Sequence, residues 1–233
     1  MMTDSSDAID AAISGDLELG TSDGSLVVSR RPMTTIVMFS GGIDSAYTLV
    51  KLLKETTDEL LVHHIHFVNA EGRHRIEADR AYRIVAFCEK TYRPFTYTES
   101  GLDHRAFTFF GFDMIGVGFE AGLVAHSYRN ETGHMPVRWT IGSCAEEARN
   151  TTRWPHVLAC MAANCFPEAP PAYFGLPIIS KVDEIAYLPD DIVDMAWTCR
   201  RPVWSNGTAY ECGRCKTCKV MAAVRRRKTE EDA

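Results

Sequence analysis

No run of eighteen or more apolar residues occurs in the 233-residue chain, so an α-helical membrane span is not expected. The opening stretch MMTDSSDAIDAAISGDLELGTSDGS has neither a basic start nor an apolar h-region, which leaves the cytosol (a cytoplasmic location) as the expected address. No segment recurs at a fixed period, and this argues against solenoids and propellers. Positive charge is scarce: 25 Lys and Arg face 31 Asp and Glu, for a net charge of −6, whereas a general binder of phosphate backbones needs a basic footprint. The one cationic run, Arg225, Arg226, Arg227 and Lys228, adjoins Glu230, Glu231 and Asp232 and reads as a solvated helix end. Neither a membrane nor a nucleic acid is therefore expected as a partner.

What is present is the composition of a globular protein, 45% hydrophobic and 24% charged. Eight cysteines without a secretion signal point to metal binding or chemistry rather than disulfides. Residues 1–33, rich in Ser, Asp and Gly, read as a mobile leader with a short helix near Ala8 to Ile13. From Thr34 strand-like and helix-like stretches alternate. Strands are expected over 34–39, 60–68, 93–98, 137–143 and 172–180, and helices over 43–54, 73–90, 114–128 and 148–165. That alternation predicts an α/β Rossmann-like parallel sheet with helices on both faces. The expected organisation is a nucleotide-binding domain over 34–190 and a cysteine-rich C-terminal element over 191–233. That element, with a short helix and loop before it and a last helix to about Arg227, has too few apolar residues to hold itself together.

The first strand-to-helix turn carries the chemistry. In IVMFSGGIDSAYTL, Gly41 and Gly42 allow the main chain to approach an anion, and Ser40 and Ser45 offer hydroxyl donors at a helix N-terminus. The Lys of G-x-x-x-x-G-K-[ST] is absent, and so is G-x-G-x-x-G. Ser-Gly-Gly-x-Asp-Ser resembles the signature of the PP-loop ATP pyrophosphatases, which cleave ATP between the α and β phosphates. The resemblance implies that Phe39, Ser40, Gly41, Gly42, Ile43, Asp44, Ser45, Ala46, Tyr47, Thr48 and Leu49 form the ATP loop. An acid at Asp44 inside such a loop makes electrostatic sense if Mg²⁺ bridges it to phosphate. The plain alternative is a glycine-rich helix start capped by Ser40 or Asp44.

Cys199, Cys212, Cys215 and Cys218 form C-x12-C-x2-C-x2-C, a ligand set for a structural Zn²⁺ with no open coordination position. An iron-sulfur cluster is the rival, although Ala222 and Ala223 stand where the bacterial ferredoxin run has Cys and Pro. Cys88, Cys160 and Cys165 sit in apolar helical patterns, as core residues do. Cys144, following a strand end, is the candidate thiol nucleophile.

Loop and cysteine tail together resemble the 7-cyano-7-deazaguanine synthase family, known as QueC or ExsB, over about residues 34–224. Further matches are Arg73, His74 and Glu77 in GRHRIEADRA, and Pro177, Ser180, Lys181, Glu184 and Ile185 in LPIISKVDEI. The resemblance implies ATP, Mg²⁺ and Zn²⁺ as cofactors, Asp44, Ser45 and Lys181 as catalytic groups, and Arg73, His74 and Glu77 on the substrate side. The implied reaction of this carbon-nitrogen ligase, a step of queuosine biosynthesis, takes 7-carboxy-7-deazaguanine and ammonia to the nitrile through an acyl-adenylate. The chain departs from the family at MIGVGFEAGL, at CAEEARNTTRWPHV and in the long gap after Cys199.

The residues by themselves leave other readings open. Arg73, His74 and Glu77 suit a salt-bridged helix start, and Lys181 an exposed lysine. His63, His64 and His66 suit ordinary hydrogen-bonded strand residues. Rival functions are a tRNA sulfurtransferase using Cys144, a diverged relative adenylating another deazapurine or a protein, and a non-catalytic ATP-sensing subunit. The oligomeric state, a homodimer included, is not set by the sequence.

Overall fold

The computed structural model describes residues 17–22, 25–30, 33–107, 113–146 and 151–231. Two compact units divide the chain at Met33. In the first, within the stretch expected to be a mobile leader, β1 (Leu17–Ser22) and β2 (Ser25–Arg30) pair as an antiparallel hairpin with Leu17 opposite Arg30. The alternation that specifies it is Leu17, Leu19 against Leu26, Val28, too short a pattern to stand out among the Ser, Asp and Gly around it. The helix expected at Ala8 to Ile13 lies outside the described residues.

The second unit is built on β3 (Thr34–Met38), β4 (Glu59–Val68), β5 (Thr96–Asp103), β6 (Arg138–Ile141) and β7 (Ala172–Tyr173). They form one parallel sheet in the order β5-β4-β3-β6-β7, with Ile36 beside Leu61 on one side and Trp139 on the other. Every residue of β3 is buried, as a central strand covered on both faces requires. Val37 joins Leu49, Val50, Ile84 and Val85 on the face covered by α1 (Ile43–Glu55) and α2 (His74–Thr91). Ile36 and Met38 point the other way, into a cluster with Ala121, Trp139, Val157 and Met161 beneath α3 (Asp113–Thr132) and α4 (Trp154–Cys165).

The expected α/β Rossmann-like architecture is thus what the chain adopts, with local differences. β5 starts at Thr96 and extends to Asp103, where a strand over 93–98 was expected. The strand expected over 172–180 is only two residues long, because β7 pairs with β6 at Arg138 and Trp139 alone. Of the helix expected over 148–165, residues 148–150 lie outside the described residues, Thr151–Arg153 is a 3-10 turn, and α4 begins with Pro155 in its first turn. After Lys181 come two short helices, α5 (Lys181–Tyr187) and α6 (Asp190–Met195), where one was expected.

The long gap between Cys199 and Cys212 holds a hairpin, β8 (Val203–Ser205) and β9 (Thr208–Tyr210), joined through Asn206 and Gly207 at φ +49° and +79°. Asn-Gly is the preferred pair for such a turn, so the signal was in the sequence. The last helix, α7 (Lys216–Glu231), starts inside the cysteine run.

Candidate functional site

Strand order reverses at β3, whose neighbours β4 and β6 lead to opposite sides of the sheet. Ligands of open parallel sheets bind outside the carboxyl ends of the strands at such a point. A cavity of 680 Å³ lies there. Phe39, Ser40, Gly42, Ile43, Asp44 and Ser45 line it from the loop after β3, and Ile141, Gly142 and Ser143 from the end of β6.

The loop is shaped by two glycines and two serines. Gly41 has φ +77°, and a Cβ there would sit 2.8 Å from the amide nitrogen of Ala81 on α2. At Gly142 a Cβ would lie 2.4 Å from the carbonyl carbon of Asp44 and the nitrogen of Ser45, so the end of β6 presses directly on the start of α1. Ser45 Oγ donates to the Gly42 carbonyl at 3.0 Å and lies 3.1 Å from Ser40 Oγ. No side chain caps α1: its N-cap is Gly42, and neither Ser40 nor Asp44 takes that role. The plain capping alternative therefore does not describe this loop, and the helix dipole faces the cavity. Of the eleven residues of the expected ATP loop, Gly41, which turns the chain against α2, and Ala46, Tyr47, Thr48 and Leu49 do not line the cavity. The last four are buried in the body of α1, where helical periodicity turns them into the core.

Lys181 is buried, not exposed. Its ammonium forms an ion pair with Asp44 and lies 3.7 Å from Glu184, while its backbone N–H donates to both oxygens of Glu146 at 3.2 and 3.1 Å. α5 is aimed by its own cap, the Asp183 N–H donating to Ser180 Oγ at 3.2 Å. Glu184 is fully buried, with the Lys181 ammonium the nearby cation, beyond hydrogen-bond distance. Burial pushes its carboxyl far above the usual range, and the neighbouring Asp44 carboxylate adds to that. Burial also acts to raise Asp44, but hydrogen bonding from Glu184 and the Lys181 charge outweigh it and hold Asp44 below its ordinary value. The pair divides in this way because two close carboxyls share one proton. Cys144, fully buried, brings its sulfur within 4.8 Å of a carboxylate oxygen of Asp44 and of Glu184.

The three residues matched on the substrate side separate. Arg73 and Glu77 line the cavity and pair at 2.7 Å, whereas His74 does not line it. Arg73 also contacts Glu71 at 2.8 Å and Asp113 at 3.0 Å, and Asp113 in turn takes Arg200 at 2.7 Å. A buried guanidinium held by three carboxylates stays ionised, its pKa raised despite burial. Burial raises the Glu77 carboxyl, only partly offset by Arg73. One wall is apolar, with Met38, Phe67, Met114, Val117, Trp154, Tyr173 and Ile178, while His63, His64, Thr198 and Thr217 also line the cavity. Among the described residues, each of the cations that line the cavity, Arg73, Lys181 and Arg200, already has a carboxylate partner.

The β4 histidines are embedded in the fold. His63 contacts Thr98 Oγ1 at 2.8 Å and Ser100 Oγ at 2.9 Å, and His64 Nδ1 donates to the Phe39 carbonyl at 2.9 Å. Burial lowers both to about 4, so they are neutral at pH 7. His66 pairs with Glu99 at 2.9 Å.

One sulfur atom from each of Cys199, Cys212, Cys215 and Cys218 gathers within 4.8 Å of the others, the Cys212 and Cys218 sulfurs 3.9 Å apart. Sulfurs about 2.3 Å from one tetrahedral ion are about 3.8 Å from each other. The four thiols thus form one ligand set of the kind that holds a zinc ion or an iron-sulfur cluster. Backbone N–H groups of Cys212, Cys215 and Cys218 donate to the sulfurs of Cys199, Cys212 and Cys215 at 3.2, 3.3 and 3.4 Å, as suits thiolate ligands. This element reaches the loop: the Trp197 N–H donates to the Gly41 carbonyl at 3.0 Å, and Trp197 packs with Ile76, Cys199 and Cys218.

Gly142, Glu146 and Trp197 were not singled out from the sequence. A Gly directly after the apolar run VRWTI was a readable hint of close approach, but nothing local marks Glu146 or Trp197.

Fold and site define a class: an open parallel α/β protein with an uncapped Ser-Gly-Gly loop at its switch point and a four-cysteine metal element beside it. No family model matches the sequence, and no curated protein matches it. Among solved structures, the chain is similar to the U34-tRNA thiolase NcsA from Methanococcus maripaludis with its 4Fe-4S cluster, at 14% identity and a TM-score of 0.45. That match covers 86% of this chain and 66% of the thiolase. It is also similar to a "predicted subunit of tRNA methyltransferase" from Methanocaldococcus jannaschii, at 12% identity and a TM-score of 0.33, covering 84% of this chain and 88% of that one. No helix among the described residues is long and apolar enough to cross a membrane.

Proposed function

We propose that this chain is an ATP pyrophosphatase of the PP-loop kind, which adenylates an oxygen of an acceptor held in the apolar half of the cavity. The observation that carries the reading is the uncapped start of α1 joined to the Asp44–Lys181 pair at one end of a 680 Å³ cavity. Loop N–H groups and the hydroxyls of Ser40 and Ser45 supply donors for phosphate oxygens. The acceptor oxygen attacks the α-phosphorus, the bond from that phosphorus to the bridging oxygen breaks, and pyrophosphate leaves. Lys181 is placed to follow the charge that develops on the phosphates, and Asp44 would hold Mg²⁺, which neutralises phosphate charge. Zn²⁺ is the ion we assign to the four cysteines, in a structural role.

The sequence resemblance supports 7-carboxy-7-deazaguanine as acceptor, with ammonia completing its conversion to the nitrile, and a planar bicycle suits walls made of Phe67, Met114, Trp154 and Tyr173. A second reading, a tRNA base whose adenylated carbonyl oxygen is replaced by sulfur, is favoured by one observation. Each cation lining the cavity is already paired, which suits a neutral carbonyl acceptor better than a carboxylate. Cys144 lies beside Asp44 in this reading but is fully buried, so sulfur transfer through it requires the loop to shift.

The test is incubation with Mg-ATP plus either 7-carboxy-7-deazaguanine and ammonium, or unmodified tRNA with a persulfide donor, whose sulfane sulfur loads Cys144, and a thiol reductant, which frees that sulfur as AMP leaves the adenylated carbon. Mass spectrometry then looks for the nitrile, for thionucleosides, and for AMP with pyrophosphate. Release of ADP and phosphate alone rejects the adenylation reading. Cys144→Ser separates the acceptors, since sulfur transfer through that thiol stops and nitrile synthesis continues.

A further inference from the structure

We infer that the four-cysteine element carries a docking surface for single-stranded RNA at the mouth of the cavity. The net charge of the chain conceals how the charge is distributed. Residues 199–226 contain seven cations and one anion, so a protein of net charge −6 carries +6 in 28 residues and −12 in the rest. A divalent ion on four thiolates would contribute −2 and leave that segment at +4.

Folding concentrates this charge. The four cysteine sulfurs converge within 4.8 Å, and Arg201, Arg214, Lys216 and Lys219 each lie one or two residues from a ligand cysteine. Lys216, Lys219 and Arg226 recur at helical spacing on α7, while Met221 and Val224 take its buried side. All five cations are exposed, and none has a carboxylate within 4.0 Å among the described side chains. Arg225 and Arg200 differ, being paired with Glu211 and Asp113.

Two features separate this surface from a merely solvated face. The hairpin β8–β9 displays Trp204 and Tyr210, 41% and 55% exposed, which are flat apolar surfaces of the kind that stack on unpaired bases. The element also borders the cavity: Arg200, Thr217, Val220 and Met221 line it, and Trp204 Nε1 donates to the Gly72 carbonyl at 3.2 Å, beside Arg73. A strand whose phosphates run from the outer side of α7 over Lys216, Arg214 and Arg201, next in the chain to cavity-lining Thr217 and Arg200, would bring a base to the cavity mouth. The inference rests on the tRNA reading only for that last step, because strand binding is measured without any reaction.

The experiment uses the full metal-loaded chain, a fluorescein-labelled single-stranded RNA, and fluorescence anisotropy across a salt series. Five phosphate contacts on a single strand give a log–log salt slope of about −3.5, a weakening of about a hundred-fold between about 50 and 200 mM salt. Arg201→Glu with Arg214→Glu, and separately Lys216→Glu with Lys219→Glu, should weaken binding at least ten-fold and flatten that slope. Tyr210→Ala should weaken it about ten-fold with the slope unchanged. Retained metal and an unchanged circular dichroism spectrum show that each variant is folded. Absence of RNA binding, affinity indifferent to the charge reversals, or equal competition by duplex RNA and heparin overturns the proposal. If RNA binds as described and no thionucleoside forms, the docking surface stands and the sulfur-transfer reading falls.

Discussion

The Lys181 ammonium lies against the Asp44 carboxylate, joining two residues 137 positions apart in the chain. The bond ties the start of α5 to the first turn of α1, and it puts a cation where the proposed adenylation needs one. Lys181→Met leaves Asp44 without its partner next to the buried Glu184. We expect a loss of roughly 2–3 kcal/mol in urea unfolding, less than for a fully enclosed pair because Asp44 retains some exposure. Pyrophosphate release should fall at least a hundred-fold. Lys181→Arg should not rescue it, since a planar guanidinium does not put its charge where the compact ammonium meets Asp44.

Gly142 should be as demanding as the loop glycines themselves. A methyl group there meets the backbone of Asp44 and Ser45 at 2.4 Å, and main chain cannot rotate away as a side chain can. Gly142→Ala should cost about 1–3 kcal/mol and weaken ATP binding measured by calorimetry. Gly101→Ala, where a Cβ meets nothing within 4 Å, should leave both unchanged.

Removal of metal should disable the phosphate loop at a distance. The Trp197–Gly41 hydrogen bond is anchored by a cluster containing Cys199 and Cys218. A chelator should therefore raise amide exchange at residues 40–45 as well as at 197–226, with ATP affinity falling in parallel. Exchange confined to the cysteine element would show that the loop stands without it.

The β4 histidines predict sensitivity to acid. His63 and His64 are held near a pKa of about 4 by burial, against an ordinary value of 6.5. Between those values the unfolded chain binds more protons than the folded one, so stability is intact above pH 6.5 and declines as pH falls towards 4. His63→Gln keeps hydrogen-bonding capacity towards Thr98 and Ser100 but cannot titrate. It should flatten the decline of the urea midpoint between pH 6.5 and 4.5, and an unchanged slope would assign the acid response elsewhere.

What was legible in the sequence were features written in contiguous residues. The β-branched run of β3, the 3.6-residue period of α1, the Ser-Gly-Gly-Ile-Asp-Ser turn between them and the cysteine spacing each depend on neighbours a few positions apart. Local propensity and steric rules act at that range. The hairpin of the cysteine element was legible too, in its Asn-Gly pair.

What tertiary structure decided were the meetings between distant residues. Whether Lys181 is an exposed lysine or a buried partner of Asp44 depends on how α5 packs beside α1, and whether Arg73 faces solvent depends on where Asp113 and Glu71 come to rest. The sum of charges is a property of composition and the sequence determined it. The gathering of Arg201, Arg214, Lys216 and Lys219 around one point is a property of folding, because converging thiols draw together cations that the chain holds apart.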